Sequence, residues 1–330
     1  MSDIVLGIET SCDDTAVALV NSNGQVLSSV ISSQIDVHNA YGGIYPEFAA
    51  RAHILSILPT VNEALLRANI KPEQIEAIGV TRGPGLISSL LVGINTAVGL
   101  GLGWNKKVIG INHLRGHLRS ADLEQQRVEY PAIILLVSGG HTFLAYMESS
   151  VNIKLLGSTR DDSVGETYDK VGRMLGLDYP GGPAVDRLAS KGNPSISFPR
   201  PLLKTGLEFS FSGLKSSVSR YIDSCKKPVY EDIAASFVQS VMEILIKKSH
   251  LALKSYPAKS FVIVGGVAAS PQLRAEAAKL SQELNIQLSL PPIHWSTDNA
   301  AMIALATFDY LNLSMFKEPI PELQLTISDF

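Results

Sequence analysis

His113 and His117 stand four residues apart in the run His113–Leu114–Arg115–Gly116–His117. On a helix, positions i and i+4 share a face, so two imidazoles can address one metal ion. A pair of partly buried or capping histidines would show the same spacing. Asp298, in Ser296–Thr297–Asp298–Asn299, adds a third candidate ligand where a loop enters the last predicted helix. Two imidazoles and one carboxylate leave coordination positions open, which suits catalytic Fe(II) or Zn. The same aspartate would also serve as an ordinary helix cap or first-turn acid. One residue argues against a zinc peptidase of the HExxH type: the position that must carry its glutamate base is Leu114.

Small polar or glycine-rich turns after apolar runs form a second group of candidates. Thr10–Asp14 follows Ile4–Glu9, and Ser138–Gly139–Gly140–His141 follows Pro131–Val137. Ala77–Thr81 ends in Arg82–Gly83–Pro84–Gly85, and Phe261–Val264 ends in Gly265–Gly266. Turns of this kind direct backbone N–H groups outward, which suits phosphate, and a following helix start adds to the effect. An acidic stretch, Asp161–Lys170, precedes Gly181–Asp186. Acids there can bind sugar hydroxyls, Mg²⁺ or solvent alone.

The elements that must carry these groups repeat. Ile4–Glu9, Thr15–Val20 and Gln25–Ser32 form one set of strand-like runs, and Pro131–Val137, Thr142–Tyr146 and Ile153–Ser158 form another. Each half therefore opens with a β-meander. Helical periods are predicted over Pro46–Leu66, Glu231–Lys254, from about Pro271, and roughly from Thr297 to Leu311. Leu86–Leu102 reads as an apolar helix packed on both sides. The pattern predicts an α/β fold of two lobes closing on a nucleotide, although two ordinary hairpins would alternate in the same way. The lobes are expected over 1–128 and 129–330, with the final helix able to pack back toward the first.

A chain of 330 residues, 45% hydrophobic and 18% charged, has ample material for two cores. Its cysteines, Cys12 and Cys225, are too few for a disulfide framework or a cysteine-based zinc site, which predicts a reducing, cytoplasmic setting. No signal peptide is predicted at the N-terminus, and apolar runs such as Ala132–Val137 are expected to be too short to cross a bilayer. The net charge of −3 opposes indiscriminate nucleic-acid binding. From Arg187 to Lys227, however, eight basic residues meet two acids, a local +6. This suits either a nucleic-acid face or a solvated surface.

Taken in order, the motifs resemble one family. They include Gly7-Ile8-Glu9-Thr10-Ser11-Cys12-Asp13-Asp14-Thr15, Thr81-Arg82-Gly83-Pro84-Gly85-Leu86, the His113/His117 pair and Leu136-Val137-Ser138-Gly139-Gly140-His141-Thr142. Further along stand Asp178-Tyr179-Pro180-Gly181-Gly182-Pro183, Phe209-Ser210-Phe211-Ser212-Gly213-Leu214-Lys215, Ala234-Ala235-Ser236-Phe237, Gly265-Gly266-Val267-Ala268 and Thr297-Asp298-Asn299-Ala300-Ala301-Met302. Together they span nearly the whole chain at matching spacing. The family is the bacterial-type tRNA N6-adenosine threonylcarbamoyltransferases (TsaD), formerly labelled O-sialoglycoprotein endopeptidases or glycoproteases.

The resemblance implies an actin/Hsp70/sugar-kinase-like (ASKHA) fold with a nucleotide and metal cleft between the lobes. It implies one Fe²⁺ per subunit on His113, His117 and Asp298, with Zn²⁺ able to replace it in purified protein. It also implies contacts to a nucleotide or acyl-adenylate from Leu136, Val137, Ser138, Gly139, Gly140, Asp169, Gly182, Asp186 and Ser270. Two positions depart from the family pattern: Ser270 stands where asparagine is usual, and Arg115 replaces an acid. The implied reaction moves a threonylcarbamoyl group from threonylcarbamoyl-AMP to the adenosine beside the anticodon of tRNA. The implied protein partners are a TsaB-like scaffold and a TsaE-like ATPase. An outward face bearing Arg115 and Arg119 would offer cations to such a partner, while solvation or pairing within the chain is the plainer reading of both. A sugar-kinase-like phosphotransferase or a non-catalytic scaffold subunit would share the fold.

Overall fold

The computed structural model describes residues 3–34, 45–125, 127–314 and 317–329, apart from 324 and 328. The first sheet contains β1 (Ile4–Glu9), β2 (Asp14–Asn21), β3 (Val26–Ser33), β4 (Ala77–Gly83) and β5 (Lys107–Asn112), in the order β3-β2-β1-β4-β5. The second contains β6 (Ala132–Val137), β7 (Thr142–Met147), β8 (Ile153–Ser158), β9 (Ser260–Val264) and β10 (Gln287–Ser289), in the order β8-β7-β6-β9-β10. Both open with an antiparallel three-stranded meander, then add two parallel strands on the other side of the first strand. The repeated meander in the sequence is thus a repeated sheet. Central strands covered on both faces need no polar alternation. All seven residues of β4 and all six of β6 are accordingly buried, while β3, at an edge, is only partly buried.

Nine helices surround the sheets among the described residues: α1 (Pro46–Ala68), α2 (Ile87–Trp104), α3 (His113–Arg119), α4 (Val164–Met174), α5 (Gly181–Ala189), α6 (Ser212–Ser224), α7 (Tyr230–Ser255), α8 (Pro271–Leu284) and α9 (Ala300–Asn312). The chain forms two compact units, 1–127 with 298–330, and 128–297. The second lobe therefore does not run to 330: α9 packs on β1, β2 and β4 and belongs with the first sheet. Its small residues allow that. A Cβ on Gly7 of β1 would collide with the carbonyl oxygen of Ala300 and stand 2.7 Å from the amide of Ala304, and one on Gly79 of β4 would collide with Thr307 Oγ1.

Helix α2 differs from expectation in two respects. Ser89, Leu90, Gly93, Ile94, Ala97 and Gly101 are buried, whereas Ile87, Leu91 and Leu102 are exposed, so it packs on one face rather than on both. By length and composition it is also long and apolar enough to cross a membrane, unlike the short apolar runs of the strands. Its glycines bring the buried face very close to the strand turn: Thr10 Oγ1 donates to Ser89 O at 3.0 Å, and a Cβ on Gly93 would strike that hydroxyl.

The contact of α9 with β1 gives a direct stability test. Gly7→Ala is expected to destabilise the protein by about 1–3 kcal/mol, read as a lowered urea midpoint. Gly103→Ala, where a Cβ meets nothing within 4 Å, should leave the midpoint unchanged or raise it.

Candidate functional site

The histidine helix begins where β5 ends. Asn112 caps α3: its Oδ1 accepts from Leu114 N at 2.9 Å, and its Nδ2 donates to Thr326 O and Asp329 O at 2.8 and 2.9 Å. Gly116 makes room for α9, since a Cβ there would stand 2.7 Å from Ile303 Cδ1. Asn299, not Asp298, caps α9, accepting from Met302 N at 2.9 Å. Asp298 is thereby left to face α3. Its Oδ1 lies 3.5 Å from His113 Nε2 and 3.1 Å from His117 Nε2. The rings sit edge to face with centroids 4.7 Å apart, and one ligating atom from each of the three residues lies within 4.8 Å of the others. The candidate triad of the sequence therefore converges within a single unit.

The donor set fits a metal ion. His117 Nδ1 is buried without a hydrogen-bond partner, so packing rather than hydrogen bonding holds that ring with Nε2 toward Asp298. Burial raises the Asp298 carboxyl, but His113 and His117 pull it well below the usual range. Burial lowers His113, but Glu9 and Asp298 outweigh it and hold the ring well above its ordinary value. Glu9 had no assigned role in the sequence, where it is one acid closing an apolar strand. In the fold its Oε2 is 2.8 Å from His113 Nδ1 and accepts from Thr81 Oγ1 at 2.6 Å. Burial raises its carboxyl, and His113 more than offsets this.

The two arginines of α3 do not form an outward cationic face. Arg115 is 5% exposed and lies beside Tyr310, Asp309 and Asp329. Arg119 pairs with Asp122 at 2.5 Å and Asp309 at 3.1 Å. Both are internal because α3 lies against α9.

The other candidate residues lie in the unit 128–297. Leu136 and Val137 end β6, and the turn after them is held by Ser138 N donating to His141 O at 2.8 Å and by Ser163 Oγ donating to Gly139 O at 2.5 Å. Gly139 and Gly140 are exposed, and a Cβ on either would meet nothing within 4 Å. Close approach is needed behind them instead. A Cβ on Gly165 would stand 2.5 Å from Ser138 O, and Gly265, with φ +93°, sits against Val137 O. Ser163 caps α4 by accepting from Glu166 N at 3.1 Å. Asp169, on that helix, accepts Gly181 N at 2.7 Å through Oδ1, fixing the start of α5, while Gly182 opens onto free space. Burial raises the Asp186 carboxyl, and the hydroxyls of Ser270 and Tyr168 beside it oppose the rise. Ser270 lies beside Asp186, and its hydroxyl donates to Gln272 Oε1 at 3.3 Å. An open glycine turn, a helix start and two carboxylates can together hold a phosphate and a ribose.

Asp14 supplies a pH test. Burial, then Asp13 and Asp298, push its carboxyl up to about 6, against hydrogen bonds from Ser33 and the Gln34 backbone. The folded state thus binds this proton more tightly than the unfolded state. Asp14 costs stability above that value, and the cost fades as pH falls toward 4. Asp14→Asn should be more stable than the parent at pH 8, on the order of 1–3 kcal/mol, with the gap closing near pH 4 in denaturation midpoints.

A sequence model described as TsaD, tRNA N6-adenosine threonylcarbamoyltransferase, matches residues 25–305. A protein of that name from Kosmotoga olearia is 47% identical over 313 residues, 94% of each chain. One from Thermosipho africanus is 48% identical over 309 residues, 92% of this chain and 93% of its own. Among solved structures, HypF of T. kodakarensis superposes with a TM-score of 0.67 at 14% identity, over 96% of this chain and 49% of its own, which shows the shared ASKHA fold. The chain belongs to the tRNA N6-adenosine threonylcarbamoyltransferase family and is an acyltransferase that modifies tRNA.

Proposed function

We propose that the enzyme transfers the threonylcarbamoyl group of threonylcarbamoyl-AMP to N6 of adenosine 37 in tRNAs that read codons beginning with adenine, releasing AMP. The observation that carries this reading is the convergence of His113, His117 and Asp298 within 4.8 Å in a chain of this family. These three would hold Fe²⁺, or Zn²⁺ in its place, with coordination positions left open. The bound ion would polarise the acyl group as a Lewis acid. Ser138 N is engaged with His141 O, so the amides of Gly139 and Gly140 hold the phosphate of the donor, with Ser138 fixing the turn and the buried Leu136 and Val137 seating it, while Asp169, Gly182, Asp186 and Ser270 address its ribose and base. The N6 lone pair forms the new C–N bond at the carbamoyl carbon. The bond to the phosphate oxygen breaks, AMP leaves with that electron pair, and the N6 proton is lost. Fixed backbone donors at the turn stabilise the charge that develops on the departing phosphate without reorganising.

Basic residues of 187–227 meet the tRNA backbone. Arg200 and Lys215 drop out of that set, since Arg200 pairs with Glu243 at 3.1 Å and Lys215 with Asp162 at 2.7 Å. Lys191, Lys204, Arg220, Lys226 and Lys227 are exposed. The buried Lys248 Nζ donates to the carbonyls of Thr205 at 2.7 Å and Gly206 at 2.9 Å, which pins the loop that presents Lys204. A cytoplasmic location follows from the tRNA substrate. A TsaB-like scaffold and a TsaE-like ATPase assist turnover. Support for a protein partner comes from exposed Ile54 and Leu58 of α1 and Leu91 of α2, which border a 570 Å³ groove. Contiguous apolar surface of that kind marks an interaction site.

His113→Ala and His117→Ala should each strip the metal from anaerobically purified protein and lower transfer to unmodified tRNA by about 100-fold or more, with the fold intact. Full metal occupancy in both variants would overturn the assignment. Neutralising Lys204, Lys226 and Lys227 together should weaken tRNA binding and flatten its logarithmic salt dependence by up to about three units. An unchanged slope would mean that these lysines are merely solvated.

A further inference from the structure

We propose that Glu9 is a positioning residue that fixes the tautomer of His113, holding the proton on Nδ1 so that the Nε2 lone pair faces Asp298. The inference rests on the metal reading for its consequence, but not for its geometry. Both oxygens of Glu9 are committed within a 1%-exposed site. Oε1 accepts from the Ser11 amide at 2.5 Å. Oε2 accepts from Thr81 Oγ1 at 2.6 Å and lies 2.8 Å from His113 Nδ1. A carboxylate whose oxygens are engaged in this way is not a further ligand. It is an acceptor at 2.8 Å from Nδ1, whereas Asp298 Oδ1 stands 3.5 Å from Nε2, so in the neutral ring the one proton belongs on Nδ1. Ser11 Oγ, 3.3 Å from the same nitrogen, is then a second, weaker acceptor.

The Ser11 amide makes the arrangement directional, because a backbone N–H can only donate. In Glu9→Gln, the amide oxygen must take the place facing Ser11 N–H, which turns the amide NH₂ toward His113 Nδ1. That nitrogen must now accept, and its proton moves to Nε2, onto the lone pair required for a metal. A neutral imidazole has one donor and one acceptor nitrogen, so it cannot satisfy both demands. His117 offers no compensation, since its own Nδ1 is buried without a partner. The two ligands are thus unequal: His113 is backed by a carboxylate, and His117 by packing alone. A carboxylate behind a ligating histidine orients the ring and raises its basicity, and removing one commonly costs roughly 10–100-fold in metal affinity.

The test uses metal-free full-length protein in two measurements. Nitrogen NMR of the neutral His113 ring should place the proton on Nδ1 in the parent and on Nε2 in Glu9→Gln. Zinc titrated against a competing chelator should bind Glu9→Gln roughly 10–100-fold more weakly than the parent. Thr81→Val, which keeps the carboxylate and its contact with His113, should stay within about fivefold. An Nε2-protonated neutral ring in the parent would overturn the proposal, and so would zinc affinity within twofold in Glu9→Gln. Should Glu9→Gln not fold, the parent's tautomer decides the question alone. Absence of zinc binding by the parent would count against the metal reading instead, and the tautomer would still decide the role of Glu9.

Discussion

Asp298 reaches His113 and His117 only because the last helix lies almost backbone to backbone on the first sheet. That approach is possible where Gly7, Gly79 and Gly116 meet Ala300, Ala304, Ile303 and Thr307, and a single methyl group at Gly7 or Gly79 would occupy space already filled. The remainder of the metal centre depends on it. Once the helix is seated, one acid and two imidazoles are enclosed together, and burial of charge is tolerable only with partners in place. Glu9, His113 and Asp298 supply one another's partners, which is why their titrations shift in opposite directions around one cluster. The site is therefore a consequence of close helix–sheet packing as much as of its ligating residues.

The duplicated sheet is used for two different ends. In the first unit the turn after β1 is closed over by neighbouring segments. His53 holds Cys12 O at 3.0 Å and Thr15 Oγ1 at 2.7 Å, Leu86 N donates to Ser11 O at 2.8 Å, and a Cβ on Gly85 would stand 2.6 Å from that same carbonyl. In the second unit the matching turn after β6 keeps its glycines open to solvent while the segments behind it are packed tightly. The same strand–turn–strand unit thus carries a buried carboxylate in one place and an open cradle of amides in the other. What packs over the turn decides which.

The repeated meander was legible because buried strands and polar turns recur in the same order, and the topology of both sheets follows it. Strands β5 and β10 were not anticipated: β10 has only three residues, and β5 opens on the exposed Lys107 and carries Gly110 among its four buried residues, which interrupts a strand-like run. Helix α6 was hidden by its serines, with only Leu214 and Val218 buried. The histidine pair declared itself by spacing, and Asp298 by its place before a helix, but no local signal pairs residues so far apart. Glu9 could be suspected only from an acid at the end of an otherwise apolar strand. Arg115 and Arg119 look like surface cations in sequence, because nothing local announces that α9 covers them.

Anomalous diffraction at the iron edge, from crystals of anaerobically purified protein, tests the central claim most directly. The account predicts one peak per chain at about 2.0–2.2 Å from His113 Nε2, His117 Nε2 and an oxygen of Asp298. A peak coordinated by other residues, or no peak in protein that retains transfer activity, would contradict it.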